Sequence, residues 1–171
     1  MMEPLDSTDQ KKGYVYLYEV QGNKGFVKIG YTSRSTETRH REWSFDCNRD
    51  SKSLYPIPSA SATFIPNASR VEALCHAELY HRKIRIYCHG CLKQHVEWFE
   101  ISPEDAIAVV QKWSKWMTTR PYRSIWLRSG MKWTLKDDGK AESSWSVIPT
   151  KTFKISTQNN LLSYFPLRNL I

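Results

Sequence analysis

Cys88, Cys91 and His95 form a C-x2-C-x3-H pattern. Two thiols at this spacing reach one ion from a tight turn, and the imidazole supplies a third corner, so the chemistry on offer is the holding of Zn2+. A closed structural site takes four protein ligands. His76, carried on a preceding helix, is the expected fourth, with Cys75 as the alternative, while Cys47 reads as an ordinary free thiol. An open three-ligand catalytic centre is the other arrangement such donors allow. The chain has 4 Cys and 5 His, and all but Cys47 and His40 fall between Cys75 and His95. That crowding, with no apolar segment near the N-terminus to mark secretion, favours metal over disulfides. His40, His81 and His89 are expected at the surface.

Those donors need elements to position them. Residues 14–20 (YVYLYEV) and 26–31 (FVKIGY) read as strands joined by the turn QGNKG, a hairpin. Thr36 is expected to cap a helix reaching about Phe45, with Arg39 and Trp43 on one face. Residues 46–60, with Pro56 and Pro58, read as a loop, and 60–65 as a short strand. Ser69 and Glu72 are spaced as a capping box, opening a helix to about His81 with Val71, Leu74, Cys75 and Leu79 on its apolar side. Residues 82–95 are expected as a loop stapled by the zinc ion to that helix. Residues 96–101 alternate like a strand. Ser102-Pro103-Glu104-Asp105 is the strongest helix start in the chain, and its helix presents Ile107, Val110, Trp113 and Met117 before ending near Pro121. Beyond it, 124–127, 131–135, 144–148 and 153–155 read as short strands of a small extension.

The 171 residues suit one domain with an appendage: a polar lead-in at 1–13, a main body at 14–120 and an extension at 121–171. No apolar run is long enough to span a membrane. An intracellular protein is expected, with the nucleus a plausible location. The net charge is +8, and the extension carries more of it for its length than the body does. Basic residues suited to phosphate contacts are Arg34, Arg41, Arg82, Lys83 and Arg85 in the body. Arg123, Arg128, Lys132, Lys136 and Lys140 follow in the extension, interleaved with Tyr122, Trp126 and Trp133. The plainer reading of such charge is a solvated basic face.

Taken in order, the chain reads GYVY at 13–16, VKIGYT at 27–32, Arg39, Glu72 with His76, and Glu97-Trp98-Phe99. This set resembles the GIY-YIG nuclease superfamily, and more closely its branch named for an open reading frame of phage T5, a DNA-binding domain. The added cysteine pair and the W-x2-WM-x2-RPY stretch at 113–122 are similar to fungal members. The resemblance implies an α+β fold, a three-stranded antiparallel sheet flanked by helices, with a site across the sheet. It implies Tyr16 as the base or positioner of the attacking water, Arg39 on the scissile phosphate and Glu72 on one Mg2+ or Mn2+ ion. Lys28 stands where the superfamily has its second tyrosine, and the asparagine that many members carry after the glutamate has no counterpart.

Each of these residues also has a local use. Tyr14, Tyr16 and Tyr18 share a strand face and can simply pack. Glu72 is accounted for by the capping box, Arg39 by solvation, and His76 by either the zinc or the nuclease site. Trp98 and Phe99 read as core. Three functions are therefore carried forward: a divalent-metal-dependent DNA endonuclease, a non-catalytic DNA-binding module on the same fold, and a protein-interaction domain.

Overall fold

Strands β1 (Tyr14–Val20) and β2 (Phe26–Thr32) pair antiparallel, with Tyr16 opposite Gly30 and Tyr18 opposite Lys28. Strand side chains alternate between faces. Val15, Leu17, Val27 and Ile29 therefore enter one core, while Tyr16 and Tyr18 enter a second on the opposite face. The structure is a computed structural model, and it describes residues 4–56 and 64–137.

Three further strands complete the sheet: β3 (Ser51–Tyr55), β4 (Lys83–Cys88) and β5 (Lys93–Glu100). The order is β3-β1-β2-β5-β4, antiparallel throughout. The class is α+β as expected, but the sheet has five strands rather than three. β3 falls in the expected loop 46–60, and β4 with β5 turns the expected loop 82–95 into a hairpin. The signal for β4 was present: Ile84 and Ile86 face inward and Lys83 and Arg85 outward, an alternation masked by the basic cluster.

Helices α2 (Ala68–Glu78) and α3 (Pro103–Thr118) bury Val71, Leu74, Val109, Val110 and Met117 against the aliphatic face. Ser102 caps α3 as expected, accepting the Asp105 N–H at 3.1 Å. The α3 stripe is rotated from the expected one: Val110 and Met117 are buried, while Ile107 and Trp113 pack only partly. Glu78 binds Lys112 and the Trp113 indole N–H, tying the two helices together.

The capping box does not form. α2 starts two residues earlier, after Asn67, and the Ser69 hydroxyl donates to Asp9 at 3.1 Å. Asp9 also pairs with Arg70, and Leu5 is buried, so residues 4–13 are docked on α2 rather than forming a free lead-in. Helix α1 (Thr36–Cys47) lies on the aromatic face and is capped by Ser35, not Thr36.

Past α3, β6 (Tyr122–Leu127) and β7 (Gly130–Leu135) form a separate hairpin whose base buries Tyr122 and Leu135. Ile65 bridges Gly13, but residues 60–63 of the expected 60–65 strand lie outside the described residues. So do Lys140 and the stretches 144–148 and 153–155. No helix among the described residues is long and apolar enough to cross a membrane.

Candidate functional site

The β4–β5 turn returns Cys88, Cys91 and His95 to one place, and the fourth donor there is Cys47, the last residue of α1. The four ligand atoms lie within 4.8 Å of one another. Cys47 Sγ is 3.8 Å from Cys91 Sγ and 3.6 Å from His95 Nε2, and Cys91 Sγ is 3.2 Å from His95 Nε2. A tetrahedral ion with Zn–S near 2.3 Å and Zn–N near 2.0–2.1 Å separates its donors by roughly 3.5–3.8 Å. A disulfide would need a bond of about 2.05 Å. The spacing therefore suits a shared ion and not a cross-link.

The turn itself favours thiolate. Burial works to raise the Cys88 thiol, yet the Cys91 amide and thiol and the Gly90 amide outweigh it and hold Cys88 below its ordinary value. Burial, with Cys91 and Cys88 beside it, pushes the Cys47 thiol up to about 12. A bound cation would favour its ionised form instead. Gly90 lies so close to α1 that an added Cβ would fall on the Cys47 carbonyl.

Cys47 replaces the expected His76 in this cluster and is not the isolated thiol the spacing suggested. No local pattern links it to Cys88, which is why sequence reasoning passed over it. The alternative, Cys75, is fully buried in the aliphatic core.

Beside the cluster a cleft of ≈ 430 Å³ runs between α1 and β5. Lys28 is at its floor, 1 % exposed, with Nζ 2.9 Å from Glu97 Oε2 and 3.5 Å above the Trp43 ring. Burial pulls its ammonium below the ordinary value, and Glu97 works against that pull. Arg39 reaches the same place from α1, near the Tyr16 phenol and hydrogen-bonded at 3.0 Å to Glu42. Burial raises the Tyr16 phenol, and Arg39 opposes the rise. His40, expected at the surface, instead stands edge-on to Tyr16 and Tyr18. Trp43 and Glu97 are parts of the site that spacing alone did not single out, although Trp43 shares a helix face with Arg39 and Glu97 opens the EWF triplet.

Why β5 delivers both His95 and Glu97 follows from a bulge. Ile84 pairs with Trp98 and Ile86 with His95, so β5 advances one residue more than β4 between these pairs. The extra residue turns His95 to the α1 face, against Trp43. Pairing of β2 with β5 also stops at Lys28 and Trp98. Beyond that point α2 serves the β2 edge in place of a strand. His76 Nε2 donates to the Ile29 carbonyl at 3.1 Å, and the Tyr31 backbone lies near enough to Glu72 to favour its charged form. Burial first, then the charge on Glu97, pushes the Glu72 carboxyl up to about 7, with Tyr31 and Lys28 opposing. Glu72 is thus free of the helix cap and faces Lys28 and Glu97.

Gly30 makes room for the phenol. A Cβ there would lie 2.5 Å from Tyr16 Oη and 2.6 Å from Cζ, and the ring is buried among Tyr18 and Trp98. Gly30→Ala is expected to destabilise the chain by about 1–3 kcal/mol through overpacking. Urea denaturation checks this, and an unchanged midpoint would show that the ring can move aside freely.

The basic candidates are spread more widely. Arg34 is held by Glu42 at 2.7 and 2.9 Å, and Arg82 donates to His81 at 3.3 Å. Arg41, Lys83 and Arg85 are exposed, the last two on the outward side of β4. Arg123, Arg128 and Lys132 are exposed around the β6–β7 hairpin, where Trp126 is 80 % exposed.

Among known families, residues 13–114 match the model of the T5orf172 domain. Neither the curated proteins nor the solved structures gave a match. The matched stretch holds all five strands of the sheet, the four-donor cluster and the cleft, and it ends within α3 before the β6–β7 hairpin.

Proposed function

The chain belongs to the T5orf172 domain family, and on that premise we propose that it is a DNA-binding domain that hydrolyses phosphodiester bonds with a divalent cation. The observation carrying this reading is that Lys28 and Arg39 line one cleft, with Tyr16 buried next to Arg39 and Glu72 in electrostatic reach of Lys28. Arg39 offers a planar fork that matches phosphate. Tyr16, next to it, orients the attacking water. Glu72 is the carboxylate that would hold Mg2+ or Mn2+, hard cations that take oxygen ligands. Bound there, such an ion would neutralise charge at phosphorus and on the leaving oxygen. Zn2+ is the ion suited to the three thiols and imidazole of Cys47, Cys88, Cys91 and His95, as a closed structural site.

DNA is the partner this reading requires. Lys83 and Arg85 lie on the side of the sheet that carries Glu72. Arg123, Arg128 and Lys132 supply further phosphate contacts around Trp126, which offers a stacking surface. The setting for such a protein is an intracellular compartment that holds DNA, the nucleus included. One observation favours the non-catalytic module: Lys28 is covered by Trp43 and paired with Glu97, so it meets no solvent.

The deciding experiment incubates supercoiled DNA with wild type or Glu72→Ala in Mg2+ or Mn2+ and measures DNA affinity across a salt series. Nicking by wild type alone supports the nuclease. Equal nicking by both rejects the role of Glu72. Tight, salt-sensitive binding with no nicking establishes the binding module. Absence of such binding points to a protein-interaction domain.

A further inference from the structure

The four donors are divided between the two walls of the cleft. Cys47 ends α1, whose Arg39 and Trp43 form one wall, whereas Cys88, Cys91 and His95 belong to the hairpin whose Lys93 and Glu97 form the other. Arg39, Trp43 and Cys47 follow each other at intervals of four and so lie along one helix face. Helix α1 is otherwise held through its N-terminal half, where His40 stands edge-on to Tyr16 and Tyr18. Thr36, in its first turn, is its one buried residue, and Phe45 near its other end is 87 % exposed. Its C-terminal half meets the body through Trp43, through a Ser44–Ser51 hydroxyl contact at 3.0 Å and through the cluster. The hairpin is similarly placed, since β5 joins β2 only through residues 98–100.

We infer that the four-donor centre is a clamp whose metal sets the width of the cleft and so holds Arg39 and Trp43 over Tyr16 and Lys28. Loading with a soft, tetrahedral divalent ion then controls whether the phosphate site is assembled, while the α2–α3 side of the sheet keeps its own core. The consequence for DNA rests on the proposed function; the clamp does not. Its test therefore uses three readouts that need no DNA.

The 171-residue chain is measured with Zn2+ bound, after chelation, and after Zn2+ or Cd2+ is returned. Native mass spectrometry follows the metal, hydrogen exchange follows α1 and the hairpin, and amine labelling follows Lys28, which Trp43 now covers. On chelation, exchange in α1 and the 88–95 turn should rise roughly tenfold or more, while β1, β2, α2 and α3 keep their protection. Lys28 should become labelled, and returning metal should reverse both changes. Cys47→Ala should reproduce the chelated pattern, and Cys47→His, which keeps a donor, should recover metal and protection together. Three results would overturn the clamp: no metal bound by purified or zinc-treated protein, unchanged α1 exchange and Lys28 labelling on chelation, or loss of protection throughout the chain. DNA cleavage is assayed separately, so an inactive but metal-clamped protein would count against the nuclease alone.

Discussion

Arg39→Ala is expected to lower DNA cleavage by roughly 10²–10³-fold, the usual loss when one preorganised donor is taken from a developing charge. Stability should hardly change. The Arg39 side chain is 35 % exposed, and its pairing with the 34 % exposed Glu42 belongs to the class of surface ion pairs worth about 0–1 kcal/mol. Arg39→Lys should recover only part of the rate, because an ammonium keeps the charge but not the two-pronged geometry. Glu42 holds Arg39 and also takes both prongs of Arg34. Glu42→Gln should therefore release two guanidinium groups and tighten DNA binding. Single-turnover nicking of supercoiled DNA with zinc-loaded protein checks the series. An Arg39→Ala rate within about twofold of wild type would remove Arg39 from the reaction, since the charge-stabilising role predicts a loss far above that.

The second large effect is on stability. The Glu72 carboxyl is pushed up to about 7 in the folded chain, by burial first and Glu97 second, whereas an unfolded glutamate titrates near 4.3. Between these values the folded state keeps a proton that the unfolded state has released. Stability from this group is therefore complete below about pH 4 and is lost as pH rises through about 7, a change on the order of 3–4 kcal/mol. Glu72→Gln should lack this slope and exceed wild type in stability at pH 8. His40, His76 and His95 are held below their ordinary values by burial, and they tilt the curve the other way at acid pH in both proteins. The difference between the two proteins isolates Glu72. Urea midpoints from pH 5 to 8, without added Mg2+ or Mn2+, measure it. Parallel curves would show that the carboxyl titrates normally. Added Mg2+ should restore stability at pH 8 in wild type but not in Glu72→Gln, because an ion that binds only the folded, ionised form acts by linkage.

What was legible in the sequence was local. The QGNKG turn between two β-rich runs marked β1 and β2, and Ser102-Pro103 marked the start of α3 to the residue. Local rules failed where a distant group competed. Ser69 had the spacing of a capping box, but Asp9, far away in sequence, takes its hydroxyl, and the same displacement frees Glu72. β3 is a short, half-buried edge strand that opens on three polar residues in a row, Ser51, Lys52 and Ser53, so neither hydrophobicity nor turn chemistry distinguishes it from a loop. The metal centre shows the limit most directly. C-x2-C-x3-H identified three donors because a turn brings them together, but the fourth depends on how α1 crosses the sheet, which spacing does not encode. His76 had the right chemistry in the wrong place: it lies where β5 leaves β2 and is used up by the Ile29 carbonyl.

That parting of β5 from β2 has a mechanical consequence. β5 is fixed at one end like a cantilever, with Trp98 as its root and Cys91 and His95 near its free tip. Along its outer side it is braced only by β4, itself an edge strand. A beam held in this way bends most at its tip, so a tie there stiffens it more than any contact near the root. The cysteines stand at the point of greatest leverage, and Gly90, against the Cys47 carbonyl, lets the tip seat without an intervening side chain.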